Sequence, residues 1–142
     1  MKNSKFSFAF FLIFLVFSAN FIFAAPKQSA PKTIDLTKLG ATILYAQVYN
    51  MLMEADNFNG TRIKMDGTYY ENTDIEQGPP FQCIIVTDIT GCCSAGFDVL
   101  KANDSIKFPK HLSQVEVEGT FTVKEEDGIT RTYLVVDKLS VL

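Results

Sequence analysis

All three cysteines of the chain fall in one stretch, "CIIVTDITGCC", at positions 83, 92 and 93. Thiols gathered this closely admit four readings. As thiolates, Cys83, Cys92 and Cys93 would hold a soft transition metal, with zinc the best match and copper(I) next. Asp88 and His111, the only histidine, are the further ligands on offer. As an oxidised pair, Cys83 would bond to Cys92 or to Cys93 and leave one thiol over. A cysteine beside a histidine can also serve as a nucleophile, and a free cysteine can simply pack as a small apolar side chain. The spacing, eight residues and then an adjacent pair, is not that of a common zinc finger. It also lacks the C-x-x-C of thiol redox enzymes, which leaves a redox activity the least supported of these. By their neighbours alone, His111 reads as a solvated loop residue after Pro109, and Asp98 as a surface acid.

The choice among these depends on compartment and on the elements that carry the thiols. Lys2 and Lys5 precede a Phe-rich apolar run that ends in Ala-Ala-Pro. This layout predicts a secretory signal peptide over residues 1–25, or a membrane anchor if it is not cleaved. The Pro-, Lys- and Ser-rich segment 26–40 follows as a flexible tether. The expected location is therefore outside the cytoplasm, periplasmic or extracellular, with membrane contact only through the N-terminal segment. In that compartment disulfides persist. Removing Lys2 and Lys5 takes the 13 basic residues to 11 against 16 acidic, a net charge of about −5. A domain this acidic, with its basic residues scattered, is a poor match to a phosphate backbone, so no nucleic-acid partner is expected. No Ser/His/Asp order, phosphate-binding glycine loop or carboxylate pair speaks for an enzyme.

Residues 41–142 read as one domain. In "ATILYAQVYNMLMEA", Leu44, Val48, Met51, Leu52 and Ala55 form a stripe at helical spacing, with Thr42 as the expected cap. After "DNFNG" the period changes to two: Ile63, Met65 and Tyr69 alternate with Arg62, Lys64, Asp66 and Thr68. "FQCIIVTD" predicts a strand buried on both faces, and "CCSAGFDVL" its neighbour. If Thr87 and Asp88 made a tight turn between them, residue 83 would face residue 92 with Cβ atoms about 4.5–5.5 Å apart. A bulge at Gly91 would bring Cys93 there instead. Near the C-terminus, Val115, Val117, Phe121 and Val123 alternate with polar residues, and Asp127-Gly128 suits a hairpin turn. The expectation is a mainly β domain: one amphipathic helix, then a small five-stranded barrel of the OB type, because closure removes bare edges.

The segments "TILYAQVYNMLMEADNFNGTRIKMDGTYY", "FQCIIVTDITGCCSAGFDV" and "VEVEGTFTVKEEDGITRTYLVVDKLSV" together resemble a group of small exported bacterial proteins and lipoproteins of uncharacterised function. The resemblance spans about residues 34–142. Its shared features are a Cys…Asp…Cys-Cys centre, here Cys83, Asp88, Cys92 and Cys93, with Gly60, Lys64 and Gly67 as structural matches. The centre is also similar to the C-terminal, OB-like part of a permease-associated family. That resemblance implies metal homeostasis, zinc in particular, and a membrane transporter or permease as partner. Unlike the lipoprotein members, this chain has no cysteine at the end of its leader.

Overall fold

The computed structural model describes residues 33–74, 76, 78 and 80–142. The predicted signal peptide and residues 26–32 of the predicted tether lie outside the described residues. The elements in chain order are β1 (Thr33–Asp35), α1 (Ala41–Met53), α2 (Ala55–Phe58), β2 (Arg62–Asn72), β3 (Phe81–Thr87), β4 (Ser94–Lys101), β5 (Gln114–Glu126) and β6 (Ile129–Val141). Among the described residues the protein is thus mainly β, with six strands where five were expected and two helices where one was expected. The additional strand comes from the segment read as a tether. There Thr33–Asp35 pairs in parallel with Arg62–Lys64, and Leu36 is buried. A Pro- and Lys-rich composition hid this three-residue strand, which is too short to show a period.

The strands follow the order β1-β2-β3-β4-β6-β5, and β5 returns to pair with β2. Of the pairs, β1–β2 and β4–β6 are parallel and the others antiparallel. β2 is long enough to serve two partners: Thr68–Asn72 face β3, while Arg62–Thr68 face β5. One face of each strand supplies the core. Ile63, Met65 and Tyr69 of β2 are buried, as are Phe97 of β4, Val115, Val117 and Phe121 of β5, and Leu134 and Val136 of β6. These are the alternating positions that the sequence marks on β2 and β5. The rings of Phe97 and Phe121 meet edge to face, with centroids 5.3 Å apart. The β5–β6 turn takes positive φ at both Asp127 (54°) and Gly128 (75°), as the Asp-Gly pair requires. Gly96 in β4 is fixed by a different need. A Cβ there would stand 2.3 Å from the Ile84 carbonyl oxygen of the paired strand, so no other residue fits without moving backbone.

Helix α1 lays its stripe on this core, burying Val48 and Met51. Leu44, Leu52 and Ala55 pack beside them. Its cap is Gly40 rather than Thr42, and no side chain bonds to the end. The Gly40 carbonyl already accepts from the Ile43 and Leu44 N–H groups, so Thr42 lies within the first turn. None of the described helices is long and apolar enough to cross a membrane.

Outside the core, Arg62 forks between Glu118 and Asp137, at 2.7 Å from each, and Lys138 reaches Glu118 at 2.9 Å. The Arg62 hydrogen bond, followed by that of Lys138, holds the Glu118 carboxyl down at about 2. Because this lies below the ordinary glutamate value near 4.5, the folded state binds fewer protons than the unfolded chain in between. The contribution of Glu118 to stability is therefore complete above about pH 4.5 and disappears as pH falls through about 2. Glu118→Gln is expected to flatten the acid limb of the stability curve between those values and to lower stability most at pH 7, where the ion pairs with Arg62 and Lys138 are both fully formed. Urea unfolding at a series of pH values reads this directly.

Candidate metal centre

β3 and β4 form an antiparallel hairpin in which Thr87 faces Ser94. The connection is the six-residue loop Asp88–Cys93, not a two-residue turn. Asp88 organises it. Its Oδ1 accepts from the Cys92 N–H at 3.2 Å and the Cys93 N–H at 3.4 Å. Its own N–H donates to the Cys93 carbonyl at 3.1 Å, and its carbonyl accepts from Gly91 N–H at 3.1 Å. Gly91 then turns the chain at φ 71°. An aspartate that accepts from the backbone beyond it, with a glycine to absorb positive φ, makes a self-contained loop.

That folding puts three ligand-type atoms together. Oxygen of Asp88 and sulfurs of Cys92 and Cys93 all lie within 4.8 Å of one another. The two sulfurs are 3.5 Å apart, and Cys92 Sγ stands 3.7 Å from Asp88 Oδ2. Both cysteines are exposed and all three thiols of the chain are free. Thr90 Oγ1 lies 2.7 Å from Asp88 Oδ2 and 3.0 Å from Cys92 Sγ. A hydroxyl has one hydrogen, so it donates to one of these at a time. The group can hold a metal ion.

The local electrostatics favour a cation. The Thr90 hydroxyl, reinforced by the Cys93 and Gly91 backbone N–H groups and the Cys92 thiol, holds the Asp88 carboxyl below its ordinary value and hence ionised. Cys93 is pushed the other way, first by its contact with Cys92 and then by that neighbour's charge and by Asp88. A second thiolate is thus disfavoured here until positive charge arrives. Tyr45 of α1 overlooks the loop: burial raises its phenol, and the charges of Cys93, Asp88 and Cys92 add to the effect. Its ring stacks on Tyr49 one helical turn on, with centroids 6.1 Å apart.

Two residues named by the sequence do not join this group. Cys83 sits within β3, between Tyr70 of β2 and Asp98 of β4. It was expected opposite residue 92. The six-residue loop moves the register so that Asp98 stands there instead. Thr87 lies four residues along the strand from Cys83, about 13 Å at ~3.3 Å per residue. It is 8% exposed, and burial, with the nearby Asp98 carboxyl, pushes its thiol up to about 11. Cys83 is therefore a packed, protonated strand residue, and the hairpin brings it to neither partner as a disulfide. His111 is exposed in the β4–β5 connection. Its Nδ1 accepts from the Glu71 N–H at 3.2 Å, and its ring tilts against Tyr70 at 4.6 Å.

The sequence thus named Asp88, Cys92 and Cys93 but not Thr90 or Tyr45. Thr90 was legible in principle as part of the turn-forming Asp-x-Thr-Gly run. Tyr45 was not, since only the packing of α1 brings it near. No protein-family model matches the chain, and no curated protein matches it in sequence.

Proposed function

We propose that this is an exported, non-enzymatic domain that binds a transition metal at the tip of the β3–β4 hairpin. Asp88, Cys92 and Cys93 are the ligands, zinc is the ion, and the role is metal homeostasis beside a membrane transporter or permease. The observation that carries this is the mutual approach of the three ligand atoms. Around a tetrahedral zinc, with Zn–S about 2.3 Å and Zn–O about 2.0 Å, two sulfurs lie about 3.8 Å apart and sulfur and oxygen about 3.5 Å. Two of the three distances in the loop, 3.5 Å and 3.7 Å, need adjustment of only a few tenths of an ångström, and the third lies within 4.8 Å. Copper(I) bound linearly between two thiolates would hold the sulfurs wider apart than this. Three protein ligands leave the fourth position of zinc open. An open, exposed site suits an ion that is taken up and passed on, whereas a structural zinc is closed.

The architecture we assign beneath it is OB-like. The ring β2-β3-β4-β6-β5, with one parallel pair, has the five strands and Greek-key order of such a barrel, and β1 is an addition to it. Export and attachment rest on the apolar N-terminal sequence and on the resemblance to exported proteins described above. A thiol redox activity is the weaker reading, because the Cys93 thiol is raised rather than lowered.

The test is calorimetric titration of the reduced protein with zinc, alongside elemental analysis of protein taken from its native compartment. About one zinc per chain is expected. A stoichiometry near zero in both measurements removes the proposal.

A further inference from the structure

A second site lies on the outer face of the sheet, away from the hairpin tip. The strand register sets Cys83 opposite Asp98 and Asp98 opposite Tyr133. Paired residues share a face. Over this row opens a cavity of about 440 Å³, lined among others by Phe81, Asp98, Arg131, Tyr133 and Asn72. That volume lies within the range of small-molecule sites. Its wall holds an unusual acid. Asp98 is half-buried, and its carboxyl is raised by that burial and lowered only in part by Arg131. Among the described residues no N–H or O–H donates to it. Water still reaches its oxygens, so an occupant that displaces that water must supply a donor in its place.

The other wall groups narrow the choice. Arg131 offers N–H donors within the same cavity, half-exposed and 3.6 Å from Glu126. Asn72 spends its amide oxygen on the Asp74 N–H, so its NH₂ is the end available to a ligand. The apolar part is aromatic: Phe81 is 42% exposed, and Tyr133 is held in place by donating its hydroxyl to Glu126 at 2.8 Å. A simple cation would meet the Arg131 guanidinium, and a simple anion would meet Asp98. A neutral ligand whose groups both donate and accept satisfies the two together. If it also carries an apolar C–H face, it can lie against the rings.

We propose that this cavity binds a neutral saccharide of one or two rings, its hydroxyls on Asp98, Arg131 and Asn72 and its C–H face on Phe81 and Tyr133. The site is independent of the metal loop and would survive the failure of the metal proposal. The test is chemical-shift mapping on the isotope-labelled full chain with maltose, cellobiose and N,N′-diacetylchitobiose, each up to about 10 mM, which saturates a site with a dissociation constant of ~1 mM. At least one is expected to shift residues 81, 98, 131 and 133. Asp98→Leu, which leaves no protein donor unpaired, should cut its affinity about tenfold or more. Phe81→Ala, at a partly exposed position, should do the same, while Cys92→Ser should leave it unchanged. The proposal is overturned if none of the three sugars shifts these residues, if neither variant weakens binding, or if spermidine or citrate binds here more tightly than the sugars.

Discussion

Serine in place of either Cys92 or Cys93 is expected to weaken zinc binding by about 100-fold or more, at least the upper end of what disturbing a ligand's supporting shell costs. With three ligand-type side chains in reach among the described residues, each sulfur of the proposed site would carry a large share of the affinity. Asp88→Asn should weaken binding by roughly tenfold or more and also loosen the loop, since the same carboxylate accepts from the N–H groups of Cys92 and Cys93. Cys83→Ser is the control. Its thiol lies inside β3 opposite Asp98, so zinc affinity should not change, although packing will. Equal losses from all three serine variants would point to unfolding rather than to a site. Acidity supplies a second signature. Both thiols must lose a proton on binding, and Asp88 is already ionised, so about two protons should leave per zinc. Apparent affinity should therefore fall as pH is lowered below the thiol range, by up to about 100-fold per pH unit while both thiols remain protonated. A competition assay with a chromophoric chelator, repeated across pH 6 to 9, would measure the slope. A flat profile is incompatible with thiolate ligation.

Truncating Phe121 to alanine should cost about 3–5 kcal/mol, the usual range for a fully buried phenylalanine. The side chain has no exposure and meets Phe97 edge to face, so its loss removes core from β5 and β4 at once. The backbone of the same residue closes the segment before β2: Phe121 N–H donates to Thr61 at 2.9 Å, and its carbonyl accepts from Gly60 N–H at 2.8 Å. Those bonds do not need the ring, so what remains of the fold should keep its register. Against a total of roughly 5–15 kcal/mol for a domain, the loss is about a fifth or more. Denaturant unfolding should show a lower midpoint with a similar slope. A change under 1 kcal/mol would mean the interior of the ring is not packed as described.

The faces of β2 and β5 were legible because burial there is one-sided and the period of two is strict, whereas β3 buries the consecutive residues Cys83 and Ile84, on opposite faces, as its continuous apolar run suggested. Val115, Val117 and Phe121 point inward where alternation says they must, and Asp127-Gly128 turns where its φ values permit. The stripe of α1 was legible for the same reason. Its cap was not, because Gly40 satisfies the helix start with backbone alone and leaves Thr42 nothing to do. Strand β1 was hidden because three residues cannot display periodicity. The position of Cys83 was lost to loop length. Reading Thr87 and Asp88 as a two-residue turn shifts every downstream pairing, and only the capacity of Asp88 to hold six residues by its own hydrogen bonds reveals the longer loop. The membership of Asp88, Cys92 and Cys93 survived that error because all three belong to the loop itself and depend on no register.

The return of β5 to β2 also bears on the order in which the molecule assembles. Arg62 must find Thr120, and Gly67 must find Val115, far along the chain, so this seam carries a large loop-closure cost and belongs to the slow stages of folding. The β3–β4 hairpin needs only its own neighbours, and hairpins of that kind form in about 1–10 μs. The thiol pair is therefore brought together in a nascent chain well before the seam shuts, and an ion captured then would brace the hairpin while the rest of the polypeptide is still searching.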